Sequence, residues 1–122
     1  MKTDCTVKIY HNTNCSKSCA ALELLLKNGN TPEVVHYLEE TPTREELRLL
    51  LQLLQLKPLD LIRTKEPLFQ ENFSHLTLSD EKWLDILLTH PILIERPIII
   101  KGDKAVIGRP IERIFEIIDR HE

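Results

Sequence analysis

The spacing of apolar positions along the 122-residue chain changes period several times, and each change predicts a new element. Residues Thr6 to Tyr10 are β-branched and aromatic and tend to alternate, which predicts a first strand. A polar stretch, His11-Asn12-Thr13-Asn14-Cys15-Ser16-Lys17-Ser18-Cys19, leads into Ala20, Ala21, Leu22, Leu24, Leu25 and Leu26, a strong helical run. The helix should stop at Lys27-Asn28-Gly29, where Gly29 suits the left-handed position beyond a helix end. Pro32 to Leu38 reads as strand again. The start of the chain is therefore a β-α-β unit with parallel strands.

From Glu39 to Pro91 the period is helical. Thr43 and Glu46 make a capping box ahead of Leu47, Leu50, Leu51 and Leu54, which recur at i, i+3, i+4 and i+7. Leu59 to Phe69 reads as a short helix or turn carrying Arg63. Ser79 caps a further helix with Trp83, Leu84, Leu87 and Leu88 as its stripe. Strand character returns at Pro97-Ile98-Ile99-Ile100 and Ala105-Val106-Ile107, joined through Gly102-Asp103, a pair suited to a type II′ hairpin turn. Gly108-Arg109-Pro110 closes the hairpin, and Ile111, Ile114, Phe115 and Ile118 mark a last helix to Arg120. The expectation is a single α/β domain over residues 1–122. It has a thioredoxin-like mixed four-stranded sheet in the order β-α-β, helical insert at about 40–91, β-β-α.

Composition narrows the function classes. A chain that is 42% hydrophobic and 29% charged is of ordinary globular type, and the leucine-rich stretch from Leu47 to Leu61 is broken by Arg48, Gln52, Gln55, Lys57, Pro58 and Asp60, so no membrane span is expected. Met1 to Cys5 lacks an apolar signal-peptide core, which predicts a cytoplasmic protein. There the three cysteines are reactive or idle thiols, with Cys5 incidental. A net charge of -3 without a basic block gives no footprint for nucleic acid. Any bound anion must be held by local arginines.

Cys15 is the candidate nucleophile. It is delivered by a polar turn to a helix start, where unpaired backbone N–H groups and the positive end of the dipole favour thiolate, the attacking form. Lys17 adds positive charge, His11 lies on the approach loop, and the hydroxyls of Ser16 and Ser18 can donate to sulfur. The alternative, a buried apolar filler, suits Cys19 better than a cysteine flanked by Asn, Ser and Lys. His11, Cys15 and Cys19 also form an H-x3-C-x3-C array, but no fourth ligand at metal-like spacing follows, so no metal is expected. Arg96 before Pro97 and Arg109 before Pro110 stand at opposite strand ends. Each alone fits a surface salt bridge; gathered around a thiolate they make an oxyanion site. The thioredoxin-like topology implies that Pro97 is cis and lies beside the reactive cysteine, against the commoner trans form.

Four blocks together resemble the ArsC family, the glutaredoxin-linked arsenate reductases. They are Tyr10-His11-Asn12-x-x-Cys15, Ile62-Arg63 with Glu66-Pro67, His90-Pro91-Ile92-Leu93-Ile94-Glu95-Arg96-Pro97-Ile98, and Gly108-Arg109-Pro110. The resemblance runs nearly end to end. It implies that Cys15 attacks arsenate, that Arg63, Arg96 and Arg109 bind the oxyanion, and that His11 and Ser18 tune the thiol. It further implies glutathione as co-substrate and glutaredoxin as partner; no bound cofactor and a monomeric chain are expected beside them. One departure stands out: the family commonly carries an arginine four residues after the cysteine, and this chain has Cys19, a candidate resolving thiol one helical turn from Cys15. That departure keeps open a glutathione-dependent thiol–disulfide oxidoreductase with another substrate. A redox-sensing regulator of the Spx type, which binds RNA polymerase, is the non-enzymatic alternative, although it leaves Arg96 and Arg109 without a role.

Overall fold

In a computed structural model that describes residues 7–118, the chain forms two compact units, residues 7–40 with 96–118 and Thr41–Glu95. Cys5, the first strand's expected start at Thr6 and the last helix's expected end at Arg120 lie outside the described residues.

The first unit holds the sheet. β1 (Val7–Tyr10) leads through the polar loop into α1 (Ser16–Lys27) and then β2 (Glu33–Val35), while β3 (Ile98–Lys101) and β4 (Lys104–Ile107) come from the other end of the chain. The strand order is β2-β1-β3-β4. β1 pairs parallel with β2 and antiparallel with β3, and β3 pairs antiparallel with β4, giving the expected mixed sheet. The register sets Val34, Ile9, Ile99 and Val106 in one row across all four strands. Residues two apart share a face, so Val7 joins that row's side, and Ala21 and Leu25 of α1 close over it with Ile114 and Ile118 to form the core.

Gly29 takes φ 85° past the end of α1, as expected of the residue that stops it. The hairpin turn also follows expectation: Gly102 has φ 61°, and Gln55 is the one non-glycine residue with positive φ among the described residues, so Asp103 does not share the left-handed angle. That is the type II′ pattern.

Two boundaries differ from the sequence reading. β2 ends at Val35 because the chain turns at His36, whose carbonyl accepts from the N–H groups of Glu39 and Glu40 at 2.9 and 2.8 Å. Tyr37, read as strand, is instead fully buried in that turn. The expected last helix is a 3-10 helix, Ile111–Glu116. Three residues per turn align Ile111, Ile114 and Ile117 on one line, and all three pack in the sheet's core cluster.

The second unit is helical: α2 (Arg44–Leu54), a 3-10 turn at Pro58–Leu61, α3 (Pro67–Asn72), α4 (Asp80–Thr89) and a 3-10 turn at Pro91–Leu93. Leu47, Leu50 and Leu51 of α2 and Trp83, Leu84 and Leu87 of α4 are buried, as their periodicity predicted. Arg44 and Arg48 reach from α2 to Glu81, and Arg44 also pairs with Asp85. The segment after the first 3-10 turn is neither helix nor turn at Ile62, which forms an isolated antiparallel bridge with Ile94. None of the helices among the described residues is long and apolar enough to cross a membrane.

The start of α2 carries the expected capping box: Thr43 Oγ1 accepts from Glu46 N–H at 3.1 Å and Glu46 Oε1 from Thr43 N–H at 2.9 Å. Thr43→Ala should therefore lower the unfolding free energy by about 1 kcal/mol, read as a shift of the urea midpoint without a change of slope.

Candidate active site

The loop that follows β1 is folded by its own polar groups. His11 N–H donates to Val35 O at 2.9 Å, Asn14 N–H to Asn12 Oδ1 at 2.9 Å, and Cys15 N–H to Asn12 O at 3.0 Å. These bonds bring Cys15 in with extended backbone, φ -112° and ψ 117°, as the residue that caps α1. A capping side chain normally accepts from the second or third N–H of its helix. Here those groups belong to Lys17 and Ser18; Cys15 makes no side-chain cap hydrogen bond, but the two N–H groups favour a negative charge on its sulfur.

The electrostatics of the thiol follow from that position. Burial pushes the Cys15 thiol up, since the side chain is only 7% exposed, but the Ser18 N–H, the Arg96 guanidinium by hydrogen bond and charge, and the Lys17 N–H together outweigh it. The net result is a thiol below its ordinary range, as a nucleophile requires. Arg96 lies at the entry of β3, ahead of a peptide bond to Pro97 that is cis, as the topology implied. Its Nε and Nη1 are buried and have no hydrogen-bond partner among the described residues.

Arg109 joins the same unit by another route. Its Nε–H donates to Arg96 O at 2.8 Å, a bond between the residue leaving β4 and the residue entering β3. The Arg109–Pro110 peptide is also cis. Gly108 makes this junction fit: a Cβ there would stand 3.2 Å from Pro97 Cγ and 3.2 Å from Ile99 Cδ1. Arg63 belongs to the helical unit, where Nη1 pairs with Glu66 at 2.8 Å and lies 3.4 Å from Ile92 O.

His11 and Ser18 are both buried and bonded to each other, His11 Nδ1 to Ser18 Oγ at 2.5 Å. Ser18 Oγ also accepts from Asn12 N–H at 3.0 Å. Burial, then the neighbouring His36, lowers the His11 pKa from 6.5, so the ring is neutral at neutral pH. The hydroxyl of Ser18 is thus spent on the loop, and its backbone N–H, not the hydroxyl read from the sequence, serves the sulfur. Asn12 was missed as a structural member. Its signal was the tendency of Asn to fold its side chain onto the backbone two residues on. Cys19 and Cys15 are both free thiols, and Cys19 Sγ donates to Thr13 O at 3.5 Å.

Ser18→Ala separates these roles. It leaves Asn12 N–H and His11 Nδ1 without their partner and should cost about 1–3 kcal/mol in stability by thermal unfolding. The pH dependence of Cys15 alkylation should stay where it is, because the Ser18 N–H remains.

The geometry can be set beside known proteins. The chain is 46% identical over 114 residues to the uncharacterized protein YfgD of Escherichia coli strain K12, a match covering 92% of this chain and 96% of that one. It is 39% identical to the arsenate reductase of Neisseria meningitidis serogroup A, covering 92% and 97%. Among solved structures, the arsenate reductase from Vibrio cholerae superposes with a TM-score of 0.89 at 42% identity, covering 95% of this chain and 100% of that one. The ArsC family model matches residues 10–117, a span holding the Cys15 loop, Arg63, Arg96 and Arg109. On the fold, the four sequence blocks and these matches together, the chain belongs to the ArsC family.

Proposed function

We propose that the chain reduces arsenate to arsenite through the Cys15 thiolate. The observation that carries this reading is the Arg96 guanidinium, which borders the thiol with two buried nitrogens that meet no acceptor among the described residues. Unsatisfied buried donors cost about 1–3 kcal/mol each, and a bound oxyanion removes that cost. An oxyanion held on this fork has its central atom next to a sulfur already favoured as thiolate. Relatives named arsenate reductase support arsenate as that oxyanion.

In this reading sulfur attacks arsenic, an S–As bond forms, and one oxygen leaves as water after protonation. A glutathione thiolate then attacks the Cys15 sulfur. An S–S bond forms, the S–As electron pair leaves on arsenic, and arsenic(V) becomes arsenic(III). Glutaredoxin takes the glutathionyl group by thiol–disulfide exchange and restores Cys15. Arg109 positions Arg96 through its carbonyl. Arg63 enters from the family resemblance as a third arginine, and His11 and Ser18 hold the loop. The reaction needs a reducing, glutathione-rich compartment, which is the cytoplasm.

The test is NADPH consumption by the purified protein with arsenate, glutathione, glutaredoxin and glutathione reductase. Arsenate-dependent oxidation is the expected result, and no turnover by folded protein would sink the reading. A second reading, a thiol–disulfide oxidoreductase with another substrate, is favoured by one feature: Cys19 stands a single turn from Cys15, with its N–H on Cys15 O at 3.0 Å, where the family commonly has arginine. Retained arsenate turnover in Cys19→Ser makes Cys19 a bystander, and its loss makes Cys19 the resolving thiol.

A further inference from the structure

Cys19 gives the nucleophile a neighbour of its own kind. Both thiols are free, and the Cys19 N–H donates to Cys15 O at 3.0 Å, so one closed helical turn joins them. Their Cα atoms are then about 6 Å apart, and residues four apart lie on one face of the helix. Cys19 is half-buried, and its Sγ donates to Thr13 O at 3.5 Å, which turns the thiol back toward the loop that delivers Cys15.

No group of three or more His, Cys, Asp or Glu among the described residues is placed to hold a metal ion, so the pair does not suit zinc, which takes four ligands. Two thiols and no more suit a centre that bonds two sulfurs and keeps a hydroxyl or a carbon as its third substituent. Trivalent arsenic is such a centre, and arsenite is what the proposed reaction releases at the Cys15 sulfur. A disulfide needs its sulfurs to meet at about 2 Å, whereas an arsenic atom set between them lets them stay further apart, so a Cα separation that admits the first admits the second. We propose that Cys15 and Cys19 together bind trivalent arsenic as a dithiolate. Arsenous acid exchanges two hydroxyls for two sulfurs: two As–S bonds form, two As–O bonds break, each thiol proton leaves with a hydroxide as water, and arsenic stays trivalent. The proposal rests on the reductase reading only for the source of the arsenite. Within that reading the product inhibits, because the bridge occupies the nucleophile.

The probe is phenylarsine oxide, a trivalent arsenical that condenses with two thiols and releases one water, titrated into the reduced full chain freed of small thiols. One equivalent should mask two of the three cysteines from a thiol reagent. Cys19→Ser and Cys19→Ala should each weaken binding by about a hundredfold or more, because the second sulfur no longer acts at the high effective concentration of a tethered group. Cys5→Ser should bind like the parent. In the arsenate assay, added arsenite should inhibit the parent at concentrations about tenfold or more below those that inhibit Cys19→Ser. Undiminished binding in both Cys19 variants, or loss of binding in Cys5→Ser, would overturn the proposal. Two-thiol binding by a chain that does not turn over arsenate retires the reductase reading and keeps the dithiol site. Turnover with equal arsenite inhibition in parent and Cys19→Ser keeps the reductase and overturns the site.

Discussion

Cys15→Ser should abolish arsenate-dependent NADPH oxidation, a loss of about 10³-fold or more, in a protein that melts no earlier than the parent. Serine has nearly the same shape, and its hydroxyl is a better helix-capping acceptor than the sulfur, which makes no side-chain cap bond, so the start of α1 loses nothing. What disappears is chemistry. A hydroxyl at this position is not ionised at neutral pH, and oxygen lacks sulfur's affinity for arsenic, so neither attack nor the later two-electron step through an S–S bond can proceed. Thermal unfolding and the coupled assay on the same preparation check both halves. Surviving turnover would move the nucleophile elsewhere, and Cys19, free and one turn away, would be the residue to replace next.

The parts of the fold that were legible in the sequence are those fixed by near neighbours. Thr43 and Glu46 are three residues apart and cap each other, and Gly102 and Asp103 meet the angular demand of a two-residue turn by themselves. The apolar stripe of α2 needs nothing beyond its own period. The errors lie where a distant core decides. Tyr37 has strand character, yet its burial ends β2 two residues earlier in a turn, so an apolar anchor was read as a strand continuation. Ile111, Ile114 and Ile118 have the spacing of a 3.6-residue period, whereas the line that three residues per turn lays on the core is Ile111, Ile114 and Ile117. The core took the tighter form.

The site divides in the same way. A cysteine between a strand and a helix implies free N–H groups at its sulfur, and those of Lys17 and Ser18 are there. Arg96 and Arg109 were marked by the prolines that follow them, but their mutual bond spans 13 residues and two strand ends, which no local pattern encodes. Ser18 illustrates the limit most clearly. Its hydroxyl was assigned to sulfur because Cys15 is close in sequence. The loop folds back over seven residues and gives that hydroxyl to His11.

Arg96→Met should lower arsenate turnover by about 10²–10³-fold, the usual effect of removing one preorganised donor group from a developing oxyanion. Methionine matches the length of the stem and fills its space, while removing the charge and the two buried nitrogens that have no partner. Stability should therefore hold or rise, because the folded chain no longer carries unsatisfied buried donors. The thiol responds in a definite direction. Burial raises the Cys15 pKa, and against it stand the Ser18 N–H, Arg96 and the Lys17 N–H; deleting Arg96 leaves burial less opposed, so the thiol titrates higher. Below its pKa the sulfur is protonated and inert, so the alkylation profile of the variant must move to higher pH. Raising the pH should then recover the alkylation rate of the variant but not its arsenate turnover, because alkylation needs only the thiolate and arsenate needs the guanidinium as well. Full recovery of arsenate turnover at high pH would mean that Arg96 serves the sulfur alone, and the oxyanion would have to be held by other residues.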